Sequence, residues 1–128
     1  MIIGNSLMIF GGKSTKVINE DGQVSKGPDM PMSLQWHAIA AVNASTYIIS
    51  GGETKKNSYL SLTWYYNHVL QEFNPGPPLK KGRKYHASGT IVDQETNENI
   101  VVVAGGFSDE YLQSTELLIN GKWKNGKN

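Results

Sequence analysis

Three short apolar runs divide the chain, and each run ends in a pair of glycines. The runs are LMIFGG ending at Gly12, YIISGG ending at Gly52 and VVVAGG ending at Gly106. A run that is apolar at nearly every position, without strict alternation, is typical of a strand covered on both faces. Because the glycine pairs recur at spacings of 40 and 54 residues, the pattern indicates a stacked β architecture built from repeated units.

The remaining segments complete a repeated unit of four strands. Before the second and third glycine pairs, a strand places small residues at alternate positions, namely Ala38, Ala40, Ala87 and Gly89. After each pair come two shorter and more polar strands, predicted at 15–19 and 23–26, 60–67 and 70–74, and 115–119 and 122–124. No segment shows a helical pattern. The sequence therefore predicts an all-β chain.

Turn residues support this division. Glu20-Asp21-Gly22 and Asn120-Gly121 predict hairpin turns, and the Asn-Gly pair favours type I′ geometry. Residues 93–99 are a polar insertion that lengthens the first hairpin of the third unit. The glycine pairs themselves are expected where the backbone needs a positive φ or a close approach to another segment.

The units align with one another by hand. Gly27-Pro28 matches Gly76-Pro77 and His37-Ala38 matches His86-Ala87 at an offset of 49, while Phe73 and Gly76 match Trp123 and Gly126 at an offset of 50. In these features the chain resembles the kelch repeat, which forms one blade of a β-propeller. The resemblance implies three further signature positions. The Trp position is matched by Trp123, with Phe73 and Val24 as weaker equivalents in the other two units. The Tyr position is matched by Tyr59 and Tyr111, and the Arg position by Arg83, where the first unit has Leu34.

The resemblance implies a kelch-type β-propeller fragment of about three four-stranded blades, covering approximately residues 1–27, 28–76 and 77–128. Propellers close with about four to eight blades, and kelch propellers commonly have six. Three blades do not close, so we expect part of a larger propeller whose first blade lacks most of its inner strand. The structural repeat residues are Gly11, Gly12, Gly51, Gly52, Gly105, Gly106 and Trp123.

Composition and charge exclude some classes of partner but do not identify the function. The 128 residues include 12 Lys and Arg against 11 Asp and Glu, so the net charge of +1 implies neither a nucleic acid nor a membrane partner. The longest apolar run, 100–104, is far too short to span a bilayer. Met1 reads as part of a strand with no secretory leader, and there is no cysteine. A cytoplasmic protein is therefore expected, although an extracellular one stays open if the chain is a fragment.

Three motifs suggest chemistry and each has a simpler interpretation. Residues 11–15 read GGKST, but a phosphate-binding loop needs a glycine where Leu7 stands and a helix afterwards. His37 and His86 occupy equivalent positions without carboxylates at ligand spacing, with His68 as the only further histidine, so a structural role is favoured over a metal site. The basic run 80–84 has no aromatic residues spaced for base stacking. No cofactor, metal or nucleotide is predicted.

Enzymatic propellers provide a direct comparison. Oxidases similar to galactose oxidase use a Tyr crosslinked to Cys, and sialidases use three arginines, whereas this chain has no Cys and Arg83 as its one Arg. We therefore expect no enzymatic activity in this segment. Two alternatives remain: a fragment of a propeller enzyme whose catalytic residues lie outside these residues, and a truncated product with no independent role.

The favoured hypothesis is a non-enzymatic protein–protein interaction module. Loops that follow the glycine pairs, together with the connections between blades, should lie on one rim, and their lengths vary, with 16, 25 and 21 residues from the first glycine to Gly27, Gly76 and Gly126. Such loops commonly carry recognition. A basic surplus favours an acidic peptide, and uncovered end blades favour self-association. The predicted partner-binding residues are Lys55, Lys56, Tyr59, Lys80, Arg83, Phe107, Asp109 and Tyr111.

Overall fold

The computed structural model describes residues 2–3 and 6–127, and every regular element in these residues is a β-strand. Met1 and Asn128, the outer ends of the first and third predicted units, lie outside the described residues. The described part of the chain includes no helix long and apolar enough to cross a membrane. The strands are β1 Ile2–Ile3, β2 Ser6–Phe10, β3 Thr15–Ile18, β4 Val24–Lys26, β5 Ala38–Ala41, β6 Thr46–Ser50, β7 Thr63–Asn67, β8 Glu72–Pro75, β9 Ala87–Val92, β10 Asn99–Ala104, β11 Thr115–Ile119 and β12 Lys122–Asn125.

These strands form three antiparallel sheets of four strands, each paired in sequence order. Sheet 1 contains β1–β4, sheet 2 contains β5–β8 and sheet 3 contains β9–β12. The chain thus forms three separate four-stranded sheets, and the first strand of sheet 1 has only two described residues. One prediction was too long: residues 60–62 do not extend β7, because the Leu60 N–H instead donates to the Gly52 carbonyl at 2.8 Å. Leu70 lies in the hairpin turn before β8 and is exposed.

Sheet 2 is packed between the other two sheets. Junction 1, between sheets 1 and 2, buries Met8 against Tyr47 and Tyr66. Junction 2, between sheets 2 and 3, buries Ile48 with Val101, Val103, Leu118 and Trp123. The outer faces of sheets 1 and 3 have no covering sheet among the described residues, so the stack is open and is compatible with part of a propeller-like fold.

Each glycine pair directly follows the second strand of its sheet. Gly51, Gly52, Gly105 and Gly106 have φ values of 62°, 94°, 69° and 93°, which confirms the expected left-handed backbone in sheets 2 and 3. A Cβ on Gly52 would lie 2.7 Å from the carbonyl oxygen of Gln35. Of the glycine pair in sheet 1, only Gly12 has a positive φ, at 59°, and a Cβ on either glycine would meet no atom within 4 Å.

A second repeated contact joins each sheet to the segment that follows it. The Thr15 and Thr63 hydroxyls, at the start of the third strands, donate to the carbonyls of Pro28 and Pro77, both at 2.7 Å. Trp123 reaches the same Pro77 carbonyl from sheet 3 through its indole N–H at 2.9 Å. The chain leaving sheet 2 is therefore fixed against both of the sheets that it connects, and the chain leaving sheet 1 is fixed in the same way to sheet 1.

Turn geometry agrees with the sequence patterns. Asn120 and Gly121 have φ values of 51° and 75°, the two positive values that a type I′ turn requires. Gly22 has a φ of 81° after Glu20 and Asp21. The predicted polar insertion corresponds to the loop between β9 and β10. Residues 13–15 continue into β3 rather than into a helix, so the Gly-Lys-Ser run has no helix N-terminus to offer a phosphate.

Candidate functional site

One end of the molecule gathers the loops that follow the glycine pairs and the segments that connect the sheets. We call this end the loop rim, made of residues 11–14, 27–37, 51–62, 76–86 and 105–114. Backbone bridges hold it together, pairing Gly12 with Leu34, Gln35 with Glu53, and Lys84 with Phe107. The rim is therefore a continuous surface, as expected from strands that run alternately up and down.

Arg83 lies beneath this surface. Its side chain is 1% exposed, and its Nη2 atom lies 2.9 Å from Oε2 of Glu116, which is also 1% exposed. The guanidinium also donates to the carbonyls of Gly105 and Ser114 at 3.1 and 3.0 Å. The Glu116 carboxylate accepts the backbone N–H of Lys80 at 2.6 Å. Arg83 was predicted to bind a partner; its side chain is instead buried and paired with Glu116, and partner binding at this residue stays a prediction.

Lys84 forms a second buried ion pair beside the first. Its Nζ atom lies 2.6 Å from Oε2 of Glu53, and both side chains are buried. The other carboxylate oxygen of Glu53 accepts an N–H from Gln35 at 3.0 Å. A paired and hydrogen-bonded carboxylate meets the conditions under which a buried charge is tolerated. Both charged residues in 82–85, Arg83 and Lys84, are thus paired with buried carboxylates.

His86 and Ser50 form a buried contact that superficially resembles a nucleophile and its base. Nε2 of His86 lies 3.0 Å from Oγ of Ser50. Burial, and next the positive charge of Arg83, lower the pKa of His86 to about 4. However, Ser50 is 1% exposed, and Nδ1 of His86 has no orienting partner. A triad needs both an accessible nucleophile and an oriented base, so the contact is structural.

His37 has the equivalent place at junction 1. Burial lowers the pKa of His37, while a hydrogen bond with the Phe10 backbone opposes that shift. The two histidines therefore each contact the last residue of a neighbouring second strand, Phe10 or Ser50. Among the residues that the structure describes, no cluster of three or more His, Asp or Glu side chains is arranged to hold a metal ion.

Two aromatic side chains stand directly before these histidines, and both are exposed. Trp36 and Tyr85 are 53% and 54% exposed, and their ring centroids lie 5.0 Å apart. Their φ values are 61° and 59°. A left-handed backbone at a bulky residue costs roughly 1–2 kcal/mol. The fold thus keeps two large aromatic rings together in solvent on backbone that favours glycine, and such strain clusters at functional sites.

A second aromatic contact continues this surface toward sheet 3. Phe107 and Tyr111 have ring centroids 5.3 Å apart in an edge-to-face arrangement, and Tyr111 is 87% exposed. Nζ of Lys84 lies 5.2 Å from the centroid of the Tyr85 ring and 6.0 Å from that of Phe107. Lys84 therefore connects the two aromatic pairs from below while its charge is held by Glu53.

The other predicted partner residues take varied positions on the rim. Phe107 is half-buried, and Asp109 is fully exposed, with its pKa lowered by the hydrogen bond that the Ser108 hydroxyl donates at 2.8 Å. The remaining ones are exposed: Lys55, Lys56, Tyr59, Lys80 and Tyr111. Whether any of them contacts a partner stays a prediction.

Sequence reasoning missed Trp36 and Tyr85. A signal was available, because both precede a His-Ala pair at the same offset of 49 residues. What the sequence did not show is that the backbone turns left-handed at these residues and lifts both rings out of the core. No protein-family model matches this chain, and no curated protein is significantly similar to it.

Proposed function

We propose that this chain is a segment of a kelch-type β-propeller and a non-enzymatic interaction module that binds a peptide or protein through the loop rim. The observation that carries the proposal is the exposed Trp36–Tyr85 pair on strained backbone. The kelch-type assignment is supported by glycine pairs that follow the second strand of each sheet, with a positive φ at five of the six glycines, and by four-stranded sheets paired in chain order.

Aromatic side chains suit this role physically. Trp and Tyr bury large apolar area at low conformational-entropy cost, and they dominate the energetic centres of protein interfaces. The exposed lysines around them, at 55, 56, 80 and 81, add a positive potential. A peptide with an apolar or aromatic anchor and flanking acidic residues complements both features.

The test begins with peptides selected from a random library on the immobilised chain, whose affinities are then measured by fluorescence anisotropy. Trp36→Ala and Tyr85→Ala should each weaken the selected peptides about tenfold or more, as loss of a hot-spot aromatic does. Replacing the acidic residues of the peptides by Gln or Asn should weaken binding most at low salt, because exposed charges are screened by added ions.

Val69 and Leu70 provide the matched control. Both are exposed apolar residues in the hairpin between β7 and β8, at the end opposite the loop rim. Val69→Ala and Leu70→Ala should leave the affinities unchanged. Selected peptides that respond to Val69 and Leu70, and not to Trp36 and Tyr85, would contradict the proposed surface.

The open stack also supports self-association. Exposed apolar residues lie on the outer sheets, including Leu7 and Ile9 on sheet 1 and Ile91 and Val92 on sheet 3. Apolar sheet faces associate when nothing covers them, and two copies with three sheets each match a six-bladed ring. Light scattering over a wide concentration range checks this, and a stable monomer throughout would contradict it.

A further inference from the structure

The tripeptide Asn-Gly-Lys occurs twice in the chain, as residues 120–122 and 125–127. An asparagine followed by glycine is the pair that deamidates most readily in polypeptides, because glycine has no side chain to shield the backbone nitrogen that attacks the asparagine. Both copies have the same residues at and after the asparagine. A difference in their reactivity therefore comes mainly from the structure around each copy.

The first copy forms the turn between β11 and β12. Asn120 and Gly121 are both exposed, with the positive φ values of a type I′ turn. A Cβ on Gly121 would meet no atom within 4 Å, so the space around this residue is open. Among the described residues, neither the Gly121 N–H nor the Asn120 side chain has a hydrogen-bond partner. The backbone nitrogen and the side-chain amide are thus both unengaged.

The second copy is held by the sheet. Asn125 is the last residue of β12 and pairs with Glu116 of β11. The Gly126 N–H donates to the Thr115 carbonyl at 2.9 Å, and a Cβ on Gly126 would overlap the Thr115 hydroxyl. The nitrogen that would attack Asn125 is therefore hydrogen-bonded and enclosed. It becomes free to react only when this part of the sheet opens.

We infer that Asn120 is a site of spontaneous deamidation in the folded chain and that Asn125 is protected. In this reaction the backbone nitrogen of Gly121 attacks Cγ of Asn120, the nitrogen loses its proton, and ammonia leaves as a succinimide ring closes. Water then opens the ring at either carbonyl. One opening gives aspartate, and the other gives isoaspartate, whose main chain passes through the former side chain and is longer by a methylene. Water is the only co-reactant, and nothing is oxidised or reduced.

Isoaspartate in this turn would loosen junction 2. A two-residue type I′ turn matches the twist of the strands that it joins, and an added methylene breaks the match where Ile119 pairs with Lys122. The next residue of β12, Trp123, is 5% exposed and packs in the cluster that contains Ile48. Its indole N–H donates to the Pro77 carbonyl at 2.9 Å. The modification therefore acts on a buried side chain that joins sheets 2 and 3.

The experiment incubates the folded 128-residue chain at neutral pH and follows deamidation by mass spectrometry of tryptic peptides. Trypsin cleaves after Lys122 and Lys124, so the two asparagines fall in different peptides. Asn125 should deamidate more than about tenfold more slowly than Asn120, since a backbone hydrogen bond and its strand pairing must open first.

The same chain unfolded in guanidinium chloride is the reference for the local sequence. Unfolding should accelerate deamidation at Asn125 much more than at Asn120, because only Asn125 is protected by the sheet. Equal rates at the two residues in the folded chain, or an equal acceleration of both on unfolding, would overturn the inference.

A second measurement tests the effect on junction 2. The isoaspartate form is separated from an aged sample by ion exchange, identified with an isoaspartyl methyltransferase, and should melt at a lower temperature than the fresh chain. Asn120→Asp adds the charge without the methylene and should melt like the wild type, since Asp-Gly also suits a type I′ turn. Asn120→Gly removes the reactive amide, and its aged sample should melt like its fresh one. An isoaspartate form as stable as the fresh chain would contradict the loosening of junction 2.

Discussion

Junctions 1 and 2 share a backbone hydrogen bond between the glycine pair and the connecting segment, but they differ in the side chains that they bury. At junction 1 the position beside the glycine pair is Leu34, packed with Met30 and Ile49. At junction 2 the equivalent position is Arg83, paired with Glu116. Yet the backbone bonds from Gly12 to Leu34 and from Gly52 to Arg83 are both 2.9 Å long. The glycine pair thus sets the approach of the segments, and either an apolar side chain or a compensated ion pair fills the space.

The two junctions should lose stability in different ways when a buried side chain is replaced. Apolar packing at junction 1 loses stability in proportion to the contacts removed. At junction 2, two charges have already been taken out of water, and their pairing offsets that cost only while every partner is present. Glu116 accepts hydrogen bonds from Lys80 and Lys81 as well as from Arg83. Loss of one partner there therefore leaves a buried charge rather than a simple cavity.

The largest effect is expected when the ion pair of junction 2 is broken. Arg83→Leu, which copies the residue of junction 1, should lower the free energy of unfolding by about 3–4 kcal/mol, because Glu116 stays buried and loses its counter-charge. Urea unfolding measures the change. Adding Glu116→Gln should recover much of the loss, since the amide carbonyl still accepts a backbone N–H.

The reverse exchange is the matched control. Leu34→Arg places a charge at junction 1, where the position equivalent to Glu116 is Trp64 and supplies no carboxylate. It should destabilise the chain to a similar extent. If Arg83→Leu alone leaves the unfolding midpoint unchanged, the two junctions do not differ in the way described.

Both junctions should respond alike to a side chain at the second glycine. Gly52→Val and Gly106→Val should each cost about 3 kcal/mol, because a β-branched residue is forced to a positive φ and its Cβ meets a carbonyl of the connecting segment. Thermal melts measure this. Gly11→Ala is the control and should be nearly neutral, since Gly11 has neither a positive φ nor a neighbour within 4 Å. Wild-type melts for both valine variants would remove the physical basis of the glycine pairs.

Acid should weaken junction 2 more than junction 1. The pKa of His86 is lowered to about 4 in the folded chain, below its ordinary value near 6.5, so the unfolded chain binds the proton first as the pH falls. The contribution of His86 is fully present above about pH 6.5 and is lost toward pH 4. Between pH 6.5 and 5 the expected loss is about 1.5 kcal/mol.

Unfolding measured across this range on His86→Gln should show a flatter pH profile than the wild type. His37→Gln, the equivalent change at junction 1, should flatten it less, because the charge of Arg83 helps to lower the pKa of His86 and is not among the causes at His37. Equal slopes in the two variants would contradict this distinction.

The smallest effect on stability is expected at the aromatic pair that spans both junctions. Trp36→Gly and Tyr85→Gly relieve the left-handed backbone strain and lose only an exposed ring contact, so unfolding free energies should stay within about 1 kcal/mol of the wild type. Peptide affinity at the loop rim should nevertheless fall. Thermal melts and anisotropy on the same samples separate the two effects, and a strong destabilisation would indicate a core role for the rings.

Much of the architecture follows from local patterns. The apolar runs with glycine pairs predicted β2, β6 and β10, and Asn120-Gly121 predicted a turn with two positive φ values. These succeed because backbone conformation at Gly and Asn-Gly is decided by the residues themselves. The candidate site was less predictable. Arg83 and Lys84 read as surface charges, since nothing along the chain places Glu116 or Glu53 beside them.

The sequence by itself determined the strands, the turns and the repeated unit, because hydrophobic period and glycine conformation act over a few residues. Only the tertiary structure decided which charges are buried and that Trp36 and Tyr85 meet in solvent. Each of these depends on groups brought together from distant parts of the chain. Burial, ion pairing and exposed surface are properties of that packing, and no single stretch of sequence contains them.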